Sequence, residues 1–137
     1  KASDVTEEKN KRFVTDEEKD ELSTLSTTYA KADLSNAMTV SLNQNGYAKF
    51  NNGLLIQWGY FSAGASNNQS INFPVSFKSC FSLAFSSTTD NTDNSIWSVN
   101  YAAIYASYFT VYRRYANAGS VSPSSQSFRW IAIGSWK

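Results

Sequence analysis

The segment Asn51-Asn52-Gly53-Leu54-Leu55-Ile56-Gln57-Trp58-Gly59-Tyr60 opens on a turn signal, because Asn and Gly tolerate positive φ. An apolar run rich in β-formers follows, closed by Gly59, which leaves no side chain where another group must come close. So short a run between glycines predicts a buried strand over Leu54–Tyr60, since a helix needs a longer periodic segment. A counterpart closes the chain. In Phe128-Arg129-Trp130-Ile131-Ala132-Ile133-Gly134-Ser135-Trp136, alternate positions carry Trp130, Ala132, Gly134 and Trp136. Trp58 and Trp130 are therefore expected to be structural, with Arg129 facing away from Trp130.

Outward from these two runs, the pattern is one of short strands. They are predicted near Thr39–Leu42, Tyr47–Phe50, Leu54–Tyr60, Ser70–Phe73, Cys80–Ser86, Ile96–Tyr105, Tyr108–Tyr115 and Phe128–Trp136. Pro74 ends or edges its strand, because it has no N–H to give a ladder. Ser107–Tyr115 alternates weakly and carries rings on both faces, which is unusual for a sheet with one wet side. Three polar loops, Ser62–Ser70, Ser86–Ser95 and Ala116–Ser127, separate the strands. Loops on a rigid β framework are where binding residues concentrate, although many are only solvated connections. No internal repeat at a solenoid period is present.

Charge is divided unevenly. Of 23 charged residues, 15 lie in Lys1–Asp33, nine acidic and six basic. From Leu34 onward only Asp90 and Asp93 are acidic, against Lys49, Lys78, Arg113, Arg114, Arg129 and Lys137. Aromatics run the other way, with 19 of 21 after Leu34. The shift predicts two segments of different kind, a helical one over 1–38 and an all-β one over 39–137. In the first, Lys1–Asn10 has no apolar period and reads as a flexible or extended lead-in. Thr15-Asp16-Glu17-Glu18 fits a capping box, with acids in the first turn suiting the helix dipole. Leu22, Leu25, Tyr29 and Ala32 then form a narrow seam along a short helix ending near Ala32. Such a helix is marginal alone, so the seam packs either on its own domain or, as in a coiled coil, on copies of itself.

The composition excludes several chemistries. The absence of histidine removes the usual general base and the commonest zinc ligand. The single Cys80 allows neither an intrachain disulfide nor a thiolate cluster, and between Phe77 and Phe81 it reads as a small buried hydrophobe. A net charge of +1 gives no field for nucleic acid or an anionic membrane. No apolar run approaches the roughly 20 residues that cross a bilayer, and no glycine-rich phosphate loop occurs. With no signal peptide and no methionine before Lys1, the chain reads as a piece of a longer polypeptide. No cofactor is implied. Glycoside hydrolysis usually takes two carboxylates flanking the bond, and Asp90 and Asp93 are poorly placed for different pKa values in one polar loop. Asp90-Asn91-Thr92-Asp93-Asn94 reads as an Asx-rich turn, with calcium binding as the alternative. No catalytic residue is assigned.

Recognition remains. The densest cluster of rings is Trp97, Tyr101, Tyr105, Tyr108, Tyr112 and Tyr115, with Arg113 and Arg114 beside it. Flat rings stack on sugar C–H faces, loop Asn, Ser and Asp oxygens take hydroxyls, and arginine pairs bidentately with phosphate or carboxylate. The binding candidates are Asp90, Asp93, Trp97, Tyr101, Tyr105, Tyr112, Arg113 and Arg114. The competing reading is that half or more of these rings fill the core or a subunit interface.

Three motifs in order, Gly53-Leu54-Leu55-Ile56-Gln57-Trp58-Gly59, Ile71-Asn72-Phe73-Pro74-Val75-Ser76-Phe77 and Phe128-Arg129-Trp130-Ile131-Ala132-Ile133-Gly134-Ser135, carry a resemblance. The chain from roughly Gly46 to the end resembles the C-terminal receptor-binding domain of bacteriophage tail fibres, which also occurs on the fibres of phage-tail-like bacteriocins. The resemblance implies a homotrimeric fibre tip on a virion, a small β-sandwich over 39–137 that binds the receptor, preceded by a short N-terminal helix in a shaft or trimerisation segment over 1–38. It would bind lipopolysaccharide or another glycan or protein of the bacterial envelope in host recognition. A fibre-assembly chaperone is a further implied partner, whereas enzymatic activity, nucleic acid and membrane insertion are not implied. The motifs look structural and no binding role is carried onto them, while the Tyr-rich strands at Ile96–Tyr115 depart from the commoner pattern. Two readings compete: a purely structural trimerisation module, and a polysaccharide depolymerase, which the missing acids disfavour.

Overall fold

The structure is a computed structural model and describes residues 15–29, 31, 33–62, 64, 68–88 and 95–137. The chain divides into one unit over 1–37 and another over 38–137. In the first, both halves of the capping box form ahead of helix α1 (Asp16–Thr28): the Glu18 N–H donates to Thr15 Oγ1 at 3.2 Å and the Thr15 N–H to Glu18 Oε2 at 2.8 Å. The helix stops at Thr28, short of the predicted end near Ala32, a residue outside those described. Already in its second half the Ser23 and Thr24 hydroxyls donate to the Asp20 and Glu21 carbonyls, competing with the backbone ladder. Leu22, Leu25 and Tyr29 are exposed, so the apolar seam faces solvent in the single chain.

Among the described residues the second unit has nine strands: β1 (Met38–Ser41), β2 (Gly46–Phe50), β3 (Leu54–Phe61), β4 (Asn68–Asn72), β5 (Ser79–Ser87), β6 (Ile96–Ile104), β7 (Tyr108–Asn117), β8 (Ser120–Pro123) and β9 (Phe128–Ser135). They form a five-stranded sheet in the order β1-β2-β3-β9-β5 and a four-stranded sheet built on β4-β7-β6, all antiparallel. β8 pairs with β7 as well, so β4 and β8 share one edge of that strand: β4 lies along Tyr108–Tyr112 and β8 along Arg114–Asn117. The all-β expectation holds, with one short helix near the N-terminus.

Strict alternation in the two diagnostic runs builds the core. β3 turns Leu55, Gln57 and Gly59 inward, and β9 turns in Phe128, Trp130, Ala132 and Gly134. Opposite them, Ile71 of β4 and Phe109 and Val111 of β7 complete an apolar layer. Trp130 meets Phe73 and Phe109 edge-on, with ring centroids 5.7 and 5.3 Å apart. Gly59 is obligatory here, because a Cβ at that position would lie 2.5 Å from the Trp130 indole. Gln57 is a fully buried amide that replaces a sheet partner for Val75: its Nε2–H donates to the Val75 carbonyl and its Oε1 accepts the Val75 N–H, each at 2.8 Å.

Three sequence expectations need adjustment. Trp58 does not share the core with Trp130; it is half-buried on the outer face of β3, where its Nε1–H donates to the Asn43 carbonyl at 3.1 Å. The segment Ala116–Ser127 is not all loop. Ala118 (φ 47) and Gly119 (φ 82) make a two-residue turn that folds β8 back onto β7, a geometry that suits strand twist. β8 escapes sequence reading because Ser-Val-Ser-Pro has no apolar alternation. Cys80 is half-buried against the core rather than fully enclosed, and burial raises its thiol pKa.

Candidate binding surface

Each sheet leaves one face outward, and register fixes which residues share it. On the five-stranded sheet, Val40, Ala48, Ile56 and Ile133 align in one cross-strand row, and Trp58, Ile131 and Ala84 in the next. Neither row contains a charged residue, yet Val40, Ile131 and Ile133 are 39%, 46% and 37% exposed. The four-stranded sheet differs. Its outer face aligns Asn68 with Tyr112 and Asn100, Ser70 with Thr110 and Ala103, and Arg114 with Ser98. Tyr112 is 42% exposed, Arg114 is exposed beside it, and the Asn100 side-chain amide donates to Ser98 Oγ. A tyrosine ring, a cation and several neutral hydrogen-bonding groups therefore share this outer face.

The predicted site residues do not form one cluster. Tyr112 and Arg114 share the polar outer face. Arg113 does not join them, because consecutive strand residues point to opposite faces. It is fully buried, its Nη1–H donates to the Gln126 carbonyl at 2.6 Å, and its guanidinium sits 5.2 Å from the Phe61 ring centroid. Burial lowers its pKa from the usual arginine range. The expectation of an exposed Arg113–Arg114 pair is thus corrected. Trp97 is half-buried against Tyr115, ring centroids 5.1 Å apart, where β6 begins. Tyr105 stacks on Tyr108 at 4.4 Å beyond the other end of β6, about 25 Å from Trp97 along an extended strand. Tyr101 lies between them, exposed on the rim of an open trough of 520 Å³ that also involves Leu83, Phe85 and Val99. Asp90 and Asp93 lie outside the described residues.

Two of the polar loops meet the third at the Trp97 end. Thr88 Oγ1 and Ser127 Oγ are 2.6 Å apart, and the Gly64 N–H donates to the Ser125 carbonyl at 3.0 Å. Sequence reasoning missed Asn68, Ser98 and Asn100 as companions of Tyr112 and Arg114. Only strand register brings them together, and register is set by long-range pairing. Among the described residues, no three His, Cys, Asp or Glu side chains are grouped to hold a metal ion, and no helix is long and apolar enough to cross a membrane.

Residues 49–135, most of the β unit, match the family model described as tail fiber protein gp53-like, C-terminal. The chain belongs to that family. The tail-fibre domain is also similar to solved structures of R-type pyocin fibres. An N-truncated R2-type pyocin tail fibre is 20% identical, with 82% of this chain and 46% of that one covered and a TM-score of 0.58. A C-terminal piece of the R2 pyocin fibre of P. aeruginosa is 20% identical, with 82% and 32% covered and a TM-score of 0.57. An N-truncated R1-type pyocin tail fibre is 19% identical, with 71% and 84% covered and a TM-score of 0.54. At these identities the likeness is one of fold. The tail-fibre domain spans less than half the length of the first two fibres. No curated protein matches it.

Proposed function

We propose that the tail-fibre domain binds a glycan of the bacterial envelope, lipopolysaccharide foremost, and that it does so as a homotrimer at the tip of a virion or pyocin tail fibre. The observation that carries this reading is the chemical contrast between the two outer faces. The uncharged rows through Ile56 and Trp58 suit burial against copies of the same chain. The row Asn68–Tyr112–Asn100 with Arg114 suits a hydroxylated, partly anionic ligand. The Ser124–Ser127 segment, which follows the Arg114–Pro123 pair and is tied to Thr88 and Gly64, adjoins that second surface. A single site on so open a face is weak, because it replaces only part of the water held by sugar hydroxyls. Three copies supply avidity. The role is binding without catalysis, in keeping with a chain that has no histidine.

The test is a glycan array carrying lipopolysaccharides and capsular polysaccharides, probed with wild type and with Tyr112→Ala and Arg114→Gln variants. Both variants should stay folded and lose signal, and Arg114→Gln should flatten the salt dependence for acidic glycans. Folded variants that bind as wild type overturn the assignment of the surface. A wild-type trimer that binds no glycan or envelope preparation favours a module that only assembles the fibre. Release of reducing ends from a bound polysaccharide would make the domain a depolymerase instead.

A further inference from the structure

We propose that Arg113 is the positioning residue of this surface: from inside the sandwich it holds the Ser124–Ser127 segment in the geometry a ligand meets. The inference rests on the reading of the polar face and its adjoining loops as the binding surface.

The place of Arg113 in the fold is the first argument. Along one edge of β7 the pairing partner changes at this residue, from β4, which ends at the Asn68–Tyr112 pair, to β8, which begins at the Arg114–Pro123 pair. Such a junction has no continuous ladder to hold it. The Arg113 carbonyl accepts the Ser124 N–H at 3.0 Å, and its Nη1–H donates to the Gln126 carbonyl two residues on. One residue thus grips the segment at two points, through backbone and side chain. The Gln126 N–H closes the turn onto Ser124 Oγ at 3.2 Å.

That segment carries the other two loops. Ser125 accepts the Gly64 N–H, and Ser127 meets Thr88 hydroxyl to hydroxyl. Three loops distant in sequence are therefore tied through one short stretch. The choice of side chain is the second argument. Positions 109 and 111 on the same face of β7 hold Phe and Val, and an apolar residue at 113 would extend the core without burying a charge. Burying a guanidinium is unfavourable unless its donors meet acceptors, and a planar fork offers several at fixed angles. What the cation contributes here is geometry. Being fully buried, Arg113 acts through the loop and does not touch the ligand.

The experiment compares wild type, Arg113→Met and Ser124→Ala by amide hydrogen exchange and by affinity for a lipopolysaccharide preparation that the wild type binds, over a range of salt. In Arg113→Met the Gly64, Ser124 and Gln126 amides should exchange about tenfold faster or more, while β3 and β9 amides keep their protection. Affinity should fall about tenfold with the salt slope unchanged. Ser124→Ala leaves Arg113 in place and should move both readouts the same way by a few-fold. It decides the matter if Arg113→Met does not fold, and wild-type values in it would then overturn the inference. Loop amides that stay protected in folded Arg113→Met refute the inference alone. A flattened salt slope also refutes it, by making Arg113 a direct contact. Loosened loops with unaltered affinity refute the reading of the surface, and this inference with it.

Discussion

Replacing Gln57 by methionine tests the least apolar part of the core. Gln57 is fully buried on β3 between the inward positions of Leu55 and Gly59, and both ends of its amide are used by Val75. Methionine matches its length and leaves little cavity, so the change isolates the polar bonds. The Val75 N–H and carbonyl each lose a partner while staying partly shielded, at about 1–3 kcal/mol per group. Relief from burying the glutamine amide offsets part of this, leaving a net loss of about 2–4 kcal/mol. For a domain near 100 residues that lowers Tm by roughly 8–25 °C. The measurement is urea unfolding followed by tryptophan fluorescence at fixed protein concentration, since self-association adds a mass-action term. The midpoint should fall with m unchanged.

A glutamate at the same position gives the sharper test. Protonated, it can donate to the Val75 carbonyl and accept the Val75 N–H, restoring both bonds. Ionised, it turns an oxygen toward that carbonyl in a desolvated site. Its folded-state pKa should therefore lie above the unfolded value of about 4.3. The folded state then holds the extra proton, so Gln57→Glu is close to wild type at low pH and loses stability as pH rises from about 4.3 through the folded pKa. A methionine variant that loses under about 1 kcal/mol, or a glutamate variant whose deficit ignores pH, would refute the reasoning.

The other predictions concern packing and assembly. Trp130→Ala should lose about 3–5 kcal/mol and Trp58→Ala less, roughly 1–3, in the same unfolding assay, because only Trp130 is enclosed. The reverse order would mean that the outer face is buried more deeply than the core. Gly59→Ala should strip the domain of a cooperative thermal transition or lower its Tm sharply, since the new methyl falls 2.5 Å from the Trp130 indole. Leu22→Ser with Leu25→Ser should reduce association in sedimentation equilibrium and leave the β circular dichroism intact. Equal loss of both would tie the α1 seam to the β fold.

Most of the strand plan was legible from two runs, because glycine-bounded alternation around Leu55 and Trp130 leaves few other structures open. Capping-box chemistry is local, so the start of α1 was equally readable at Thr15. What stayed hidden depends on contacts distant in sequence. Gln57 sits in an apolar run, and its partner Val75 is 18 residues away. β8 owes its existence to positive φ at Ala118, a residue that gives no such signal, and to the ladder β7 offers. The candidate site was the least legible. Proximity in sequence assembled Tyr101, Tyr105, Tyr112, Arg113 and Arg114 into one group, and β geometry distributes them over a trough rim, the far end of a hairpin, an outer face and the core.

That distribution has a consequence for how such a surface changes its ligand. Tyr108, Thr110, Tyr112 and Arg114 alternate with Phe109, Val111 and Arg113 on one strand, so outward and inward positions are substituted independently. Outward replacements away from special features usually change stability by less than about 0.5 kcal/mol. The polar row can therefore exchange amides, hydroxyls and cations at little expense to the fold. The inward set has no such freedom: Phe109 and Val111 must fill the core, and Arg113 must reach the Gln126 carbonyl. On the proposed reading, ligand chemistry is set by the outward residues of β4, β6 and β7, and the presentation of the neighbouring loops by one inward arginine. An Arg114 substitution should alter which glycan is bound, whereas an Arg113 substitution should weaken every glycan alike. Array profiles of Arg114→Gln and Arg113→Met, normalised to wild type, separate the two: a reordered profile for the first and a uniformly lowered one for the second. Identical profiles would remove the division of labour between the two faces of β7.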